Sequence, residues 1–259
     1  MSGLPPSPTA PSQTSLPEPR FLPFGDAALI VEFGKEKDRA LSAAVLALDA
    51  LISAKPPAGV VETAPSFRSL LVQFDPLETD APAVETALRD AMIAGRVDAA
   101  SEARHWRLPA CYEGDYAPDL ADVAAQAGMS PGAVVDLHAG TAHHVYMIGF
   151  LPGCPYMGDL PQAIDFPRRS NPRTAVPAGS VAIAVGLTVI YPVESPGGWH
   201  LIGRTPVQLF DTGAAEPALL APGDAVSFDP LPEPRYREIA AAAEAGDWQP
   251  TPVPREAAL

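Results

Sequence analysis

Cysteine is scarce, and its placement excludes several classes of protein. The chain has two cysteines, Cys111 and Cys154, which form neither a CxxC pair nor a metal-finger spacing. A disulfide scaffold and a zinc finger are therefore not expected. Two free thiols suit a reducing compartment, and we expect the protein to be cytoplasmic.

Lysine is missing from most of the chain. Its three occurrences, Lys35, Lys37 and Lys55, all lie in the first quarter. A P-loop lysine, a Schiff-base lysine and a biotin-bearing lysine are therefore excluded from everything after residue 55. Any phosphate bound there would be held by arginine, backbone N–H groups or a partner chain.

Long apolar runs and an excess of positive charge are also lacking. No run approaches the roughly 20 apolar residues that span a bilayer. Residues 1–20 have neither the basic nor the apolar region of a secretory signal, and their proline and serine content predicts a disordered arm. The net charge of −14 disfavours nucleic acid and anionic membranes as partners.

The part that follows the arm predicts a small α/β domain. Its order is βαββα, and a further extended segment either completes a ferredoxin-like unit or opens the next domain. We place the domain at residues 21–100, with a boundary near Ser101. The predicted elements are a strand after the turn at Gly25, helices over 35–54 and 80–94, a hairpin of 59–64 and 67–74, and the extended segment 105–112.

Residues 101–232 predict a β domain, so the fold class is α+β. Two short helices come first, the second with Ser130 as its N-cap and Pro131 in its first turn. Six short β runs separated by glycine and proline turns follow, which is typical of a barrel or a sandwich. They are HHVYMIGF, SVAIAVG, LTVIYPV, WHLIGRT, VQLFD and DAVSFDP. Residues 233–259 form a tail with one alanine-rich helix.

Residues 141–210 are slightly basic within an acidic protein. This stretch contains four arginines, namely Arg168, Arg169, Arg173 and Arg204. It contains three acidic residues, namely Asp159, Asp165 and Glu194. This balance favours a small anionic ligand. An equally good explanation is that the arginines lie in solvated loops and pair with local acids.

Three histidines close in sequence, His138, His143 and His144, invite a metal hypothesis. Their spacing matches no helical HxxxH arrangement, so we expect no metal. His138 closes a predicted helix, where the helix dipole explains it, although it could equally point into a cleft as an acid or base. Cys154 is either a nucleophile or, more commonly, a small buried residue.

Two glycine-containing turns are candidate anion sites. SPGGW, residues 195–199, is predicted as a tight turn with free backbone N–H groups. In PAGS, residues 177–180, the turn that opens a strand can form an anion-binding nest to which Ser180 adds a hydroxyl. The alternative for PAGS is an ordinary strand entry, and neither turn specifies a reaction.

Taken together, these segments resemble one family. GFLPG, PRRSNPR, VPAGSVAIA, IYPVESPGGWHLIGRTP and LFD occur in the order seen in allophanate hydrolase subunit 1, or KipI-like, proteins, which include the 5-oxoprolinase B subunits (PxpB). FGDAALIVEFG, PSFRSLLVQFDP and CYEGDYAPDL extend the resemblance to about residues 21–231. It implies a small α/β domain followed by a cyclophilin-like β-barrel.

The resemblance also implies a reaction and partners. With PxpC-like (KipA-like) and PxpA-like subunits, such proteins open 5-oxo-L-proline to L-glutamate using ATP, at a site in the complex. The alternatives are a KipI-like inhibitor of a histidine kinase and a carboxyltransferase or allophanate hydrolase subunit for urea-like amides. For the enzyme we expect His138, Arg173 and Arg204 to act in catalysis, and Tyr146, Ser180, Thr188, Tyr191, Ser195, Gly197 and Gly198 to bind substrate.

Four positions depart from the family pattern. Cys154 stands where a phenylalanine is usual and Met157 where a leucine is usual, while Leu187 replaces a glutamine and Val189 replaces a glycine. If the glutamine contacts substrate in the family, Leu187 removes that hydrogen bond. A substrate different from 5-oxoproline is then expected.

Overall fold

The computed structural model describes residues 18–94 and 103–253. The predicted arm, except for its last residues, and the predicted boundary at Ser101 lie outside these residues. In the described part, no helix combines the length and the apolar character needed to cross a bilayer.

A four-stranded antiparallel sheet with two helices forms the N-terminal part. Its strand order is β1-β2-β4-β3. The apolar faces of both helices and of the sheet share one core, in which Val45, Leu48 and Leu88 pack against Val31 and Val72. The elements are β1 (Arg20–Pro23), β2 (Ala28–Glu32), α1 (Arg39–Ala54), β3 (Val60–Pro65), β4 (Ser69–Phe74) and α2 (Ala81–Ala94).

The predicted order of these elements is confirmed, with one strand added. β1 precedes the turn at Gly25 and pairs with β2, so the arm gives way to structure by Arg20 and not after it. Asp38 caps α1 by accepting hydrogen bonds from two backbone N–H groups, and the helix ends before Pro56. β1 therefore supplies the fourth strand, and the segment at 105–112 is free to join the next sheet.

A seven-stranded sheet curls into a barrel in the second part of the chain. Its order is β12-β9-β10-β7-β6-β13-β5. The residue after β5, Cys111, exchanges backbone hydrogen bonds of 2.8 and 2.9 Å with Arg204 at the end of β12, which brings the two edges together. The elements are β5 (His105–Ala110), α3 (Leu120–Ala127), α4 (Pro131–Ala139), β6 (His143–Ile148), β7 (Pro155–Met157), β8 (Arg173–Val176), β9 (Ser180–Ala184), β10 (Leu187–Ile190), β11 (Ser195–Gly197), β12 (His200–Arg204), β13 (Ala225–Pro230) and α5 (Glu233–Glu244).

The strands next to the candidate site are buried on both faces. On β9 and β10, Ile183 and Ile190 point into the barrel core, whereas Ala182 and Val189 point to an outer apolar cluster that includes Trp199. The hairpin of β8 and β11 contributes Val176 to this outer cluster. Burial on two faces explains why both strands are mainly apolar, with Ser180 and Thr188 as the polar members.

Two local predictions in this part are wrong. VQLFD does not form a sheet strand, since Phe210 makes one isolated bridge with Ala218 and Pro206 cannot donate to a ladder. Ser195–Gly197, predicted as a tight turn, is the short strand β11 with a bulge.

Candidate active site

A cavity of about 310 Å³ opens on the outer face of the barrel, beside the hairpin of β8 and β11. The end of β10 and the loop before β7 form its other walls. Aromatic rings line much of it, together with one guanidinium group and two adjacent glycines. The residues that matter below are Phe150, Tyr156, Arg168, Tyr191, Gly197, Gly198 and Trp199.

Close packing around Gly197 gives this cavity its shape. A Cβ atom on Gly197 would lie 2.3 Å from the Tyr191 hydroxyl, so only glycine lets the tyrosine ring lie against β11. On the opposite wall, Phe150 has φ 69° and a largely exposed ring. A bulky residue in the left-handed region is uncommon and tends to mark a functional loop.

Arg168 supplies the positive charge of the cavity. Its guanidinium lies 5.5 Å from the centroid of the Trp199 ring. Among the described residues it forms no ion pair, and no Asp or Glu lines the cavity. Burial raises the pKa of Tyr191 and that of Cys154 each to about 12, so both are neutral at pH 7. The cavity therefore suits a small ligand with a negative charge.

A second cavity, next to α5, has the opposite character. Its volume is about 140 Å³ and its lining includes Asp211 and Glu216 beside Trp248. Two carboxylates repel an anion, so the larger cavity beside Arg168 is the better candidate for an anionic substrate.

A buried carboxylate fixes the loop that carries Arg168. Asp119, at the start of α3, accepts two hydrogen bonds from Arg173 at 2.7 and 2.9 Å, one from Arg169 at 2.9 Å and one from the Leu201 backbone N–H at 2.7 Å. Desolvation opposes ionisation of Asp119, but these hydrogen bonds and charges outweigh it and hold its pKa below the ordinary value. The carboxylate is therefore ionised and ties loop, helix and β12 together.

The structure brings three of the predicted substrate-binding residues to the cavity. Tyr191, Gly197 and Gly198 line it. The departures Cys154 and Val189 line it as well, and Leu187 lies in the adjoining apolar cluster. Three of the four positions that differ from the family pattern therefore lie at or beside the cavity, whereas Met157 lies in the barrel core.

His138 and Thr188 lie elsewhere, inside the barrel core. The imidazole of His138 is fully buried and hydrogen-bonds to the Tyr112 hydroxyl at 3.0 Å and to the Thr188 hydroxyl at 3.2 Å. Burial, and then the neighbouring charge of His143, lower the pKa of His138 well below 6.5. The ring is neutral and out of reach of a ligand in the cavity, so we assign it a structural part.

The remaining predicted residues are also absent from the cavity wall. Arg173 is held by Asp119, and Arg204 stacks 5.2 Å from the Tyr116 ring near α5. Tyr146 packs against Phe67 of the N-terminal part, with ring centroids 5.5 Å apart. The Ser180 and Ser195 hydroxyls are buried and have no hydrogen-bond partner among the described residues.

The predicted anion-binding nest at PAGS is not available. The Gly179 backbone N–H donates to the Tyr191 carbonyl at 2.7 Å, and the Ser180 backbone N–H donates to the Pro177 carbonyl at 3.3 Å. Both amides are used within the protein, so this turn is an ordinary strand entry.

Sequence reasoning missed the residues that give the cavity its chemistry. Arg168 was visible only as one of several charges, and Tyr156 and Trp199 only as parts of turn-rich segments. Asp119 looked like an ordinary residue before a helix. The available signal was the pair Arg168 and Arg169 after Pro167. In such a pair, one guanidinium can bind a structural carboxylate while the other remains available to a ligand.

Comparison with known proteins assigns the chain to a class. The family model of the carboxyltransferase domain, subdomains C and D, matches residues 19–220. The chain therefore belongs to this family. The fold agrees, since it superposes with a TM-score of 0.77 on K. lactis urea amidolyase, at 21% identity, over 94% of this chain and 17% of that one.

Closer relatives are B subunits of one enzyme. The chain is 37% identical to the 5-oxoprolinase B subunit of Bacillus subtilis (strain 168), over 82% of this chain and 93% of that protein. It is 49% identical to the Escherichia coli O157:H7 protein of the same name, over 51% of this chain and 61% of that one. The solved protein TTHA0988 has a TM-score of 0.72 and 32% identity, and the match covers 81% of this chain and 41% of TTHA0988. The predicted family is confirmed.

Proposed function

We propose that this chain is the B subunit of an ATP-dependent 5-oxoprolinase and acts with PxpC-like and PxpA-like partners. The observation that carries the proposal is the aromatic cavity with Arg168 as its charged group. 5-Oxoproline is a five-membered cyclic amide bearing one carboxylate. The rings of Tyr156, Tyr191 and Trp199 pack against the small ring, and Arg168 binds the carboxylate.

The chemistry explains why such a reaction uses ATP. An amide carbonyl is a poor electrophile, and phosphorylation of its oxygen makes attack by water feasible. The chain has no P-loop lysine after residue 55, which favours an ATP site that is shared with or held by a partner subunit. Holding the substrate carboxylate at Arg168 orients the amide carbonyl towards that partner.

A reconstituted assay tests the proposal. Purified chain plus its partner subunits should release ADP in a 5-oxoproline-dependent manner, and omission of this chain should abolish the release. Arg168→Gln removes a charge-assisted interaction of about 1.5 to 3 kcal/mol, so KM should rise about tenfold or more. Arg237→Gln, which removes an equal charge from exposed α5, is the matched control and should leave KM unchanged.

Two outcomes would contradict the proposal. ADP release that does not depend on this chain would exclude it from the reaction. ADP release with urea and none with 5-oxoproline would favour urea-like amides as the substrate class. That alternative rests on the 25% and 26% identity to the urea amidolyases of Lachancea kluyveri and Saccharomyces cerevisiae.

A further inference from the structure

A further cavity adjoins the substrate cavity through Arg168. Its volume is about 370 Å³, and it lies between the loop after β7 and the end of α3. Most of its lining consists of side chains that can donate hydrogen bonds to a ligand, namely Gln126, Arg168, Arg169, Ser170 and Asn171. Among the described residues no Asp or Glu lines it, although acidic residues outnumber basic ones 31 to 17 in the chain.

Positive charge at this cavity exceeds the negative charge that balances it. Asp119 is the one carboxylate paired with Arg169 and Arg173, and Arg168 has no ion pair in the described part of the chain. Of the two guanidinium groups that line the cavity, that of Arg168 has no carboxylate partner among the described residues, and that of Arg169 shares Asp119 with Arg173. Arg169 uses one Nη atom for Asp119, so its other Nη atom remains a free donor.

Two residues of the cavity lining, Arg169 and His200, are held in place before any ligand arrives. Asp119 holds Arg169 from one side, and the Arg169 backbone N–H donates to the Gly198 carbonyl at 2.7 Å on the other. His200 donates from Nε2 to the Pro167 carbonyl at 3.0 Å, which pins the start of the loop to β12. A preorganised set of donors loses little entropy when it binds an anion.

We propose that this further cavity is a phosphate-binding site of the chain. Phosphate carries between one and two negative charges at neutral pH and is compact and rich in acceptors, which matches the guanidinium groups of Arg168 and Arg169 and the neighbouring hydroxyl and amide donors. Arg168 lies between the two cavities, so a phosphate group here lies next to the substrate cavity. A link between this phosphate site and the ATP-dependent reaction rests on the proposed function. Phosphate binding itself does not.

Binding of inorganic phosphate to the purified full-length chain tests the proposal without any partner. Calorimetry at constant ionic strength should show saturable binding with one phosphate per chain in the millimolar range. In the wild-type protein, the backbone amide resonances of Ser170 and Asn171 should shift during the same titration. Arg169→Gln should weaken binding about tenfold or more.

Further variants keep the result decisive. Ser170→Ala combined with Asn171→Ala changes two side chains of the cavity wall and should weaken binding even if Arg169→Gln fails to fold. Arg237→Gln removes the same charge at a distance and should bind as the wild type does. No saturable binding, an equal loss in Arg237→Gln, or shifts confined to other residues would overturn the site. ADP release by the reconstituted enzyme without phosphate binding would overturn this site and leave the proposed function standing.

Discussion

At the scale of single residues, the two neighbouring glycines Gly197 and Gly198 differ in how much space surrounds a Cβ atom. Gly197 lies against the Tyr191 hydroxyl, whereas a Cβ atom on Gly198 would meet nothing closer than Pro172 Cγ at 3.5 Å. Gly197→Ala should therefore displace the Tyr191 ring, lower the free energy of unfolding by about 1 to 3 kcal/mol and raise KM for substrate. Gly198→Ala is the matched control for stability. Equal unfolding free energies of the two variants would contradict this packing.

Buried histidines make stability depend on pH. Burial lowers the pKa of both His138 and His143 in the folded protein below 6.5. The unfolded chain takes up protons as pH falls through 6.5 while the folded core does not, so stability is full above that pH and is lost below it. The free energy of unfolding should therefore be lower at about pH 5.5 than at about pH 7.5.

Urea unfolding at the two pH values measures this loss. His138→Gln removes one of the titrating groups, so the variant should be less stable than the wild type at both pH values but should show a smaller difference between them. Equal unfolding free energies of the wild type at both pH values would contradict a neutral buried pair.

At the scale of elements, the loop from Arg168 to Arg173 depends on Asp119. Asp119→Asn replaces one acceptor oxygen by a donor that faces other donors, so the two arginines lose their partner. Their side chains are 30% and 26% exposed, so we expect a loss of about 2 kcal/mol of stability, less than the cost of breaking a fully buried pair. Faster proteolysis within the loop should accompany it. Asp229→Asn breaks the exposed pair with Arg107 and should cost about 0.5 kcal/mol.

Most of these elements were predictable from the sequence, and the reasons are local. The cap at Ser130 with Pro131 fixes the start of α4, and the apolar spacing of Leu41, Val45 and Leu48 fixes the buried face of α1. β8 and β11 were missed because strands of three or four residues carry no measurable alternation. VQLFD has the composition of a strand but lacks a neighbouring strand to pair with.

The candidate site was less predictable than the fold. Tyr191, Gly197 and Gly198 followed from the family blocks, but the partner of each arginine depends on contacts between distant segments. Arg173 was predicted to act in catalysis and is held by Asp119, 54 positions away, whereas Arg168, five positions earlier, has no ion pair among the described residues. Likewise, the burial of His138 arises from Phe228 and Thr188, which lie far away in sequence. Such long-range pairings leave no trace in local spacing.

At the scale of the whole molecule, Phe67 connects the two parts of the fold. Its ring lies 5.5 Å from that of Tyr146 and 6.4 Å from that of Tyr156, and Tyr156 lines the substrate cavity. Polar contacts accompany it, including the ion pair of Arg39 with Asp159, but that pair is largely exposed and contributes little. Phe67 is therefore an apolar contact between the N-terminal part and the barrel.

Removal of this ring should uncouple the unfolding of the two parts. The chain's three tryptophans, Trp106, Trp199 and Trp248, all lie in the second part, so their fluorescence reports the barrel, whereas far-UV circular dichroism reports the whole chain. In the wild type both probes should give one transition.

Phe67→Ala should lower the free energy of unfolding by about 2 kcal/mol, since the ring is partly buried. It should also move the circular dichroism midpoint to a lower denaturant concentration than the fluorescence midpoint. Phe24→Ala removes a ring that is 59% exposed and should change neither midpoint. Coincident transitions in Phe67→Ala, at the wild-type midpoint, would show that the two parts are coupled by other contacts.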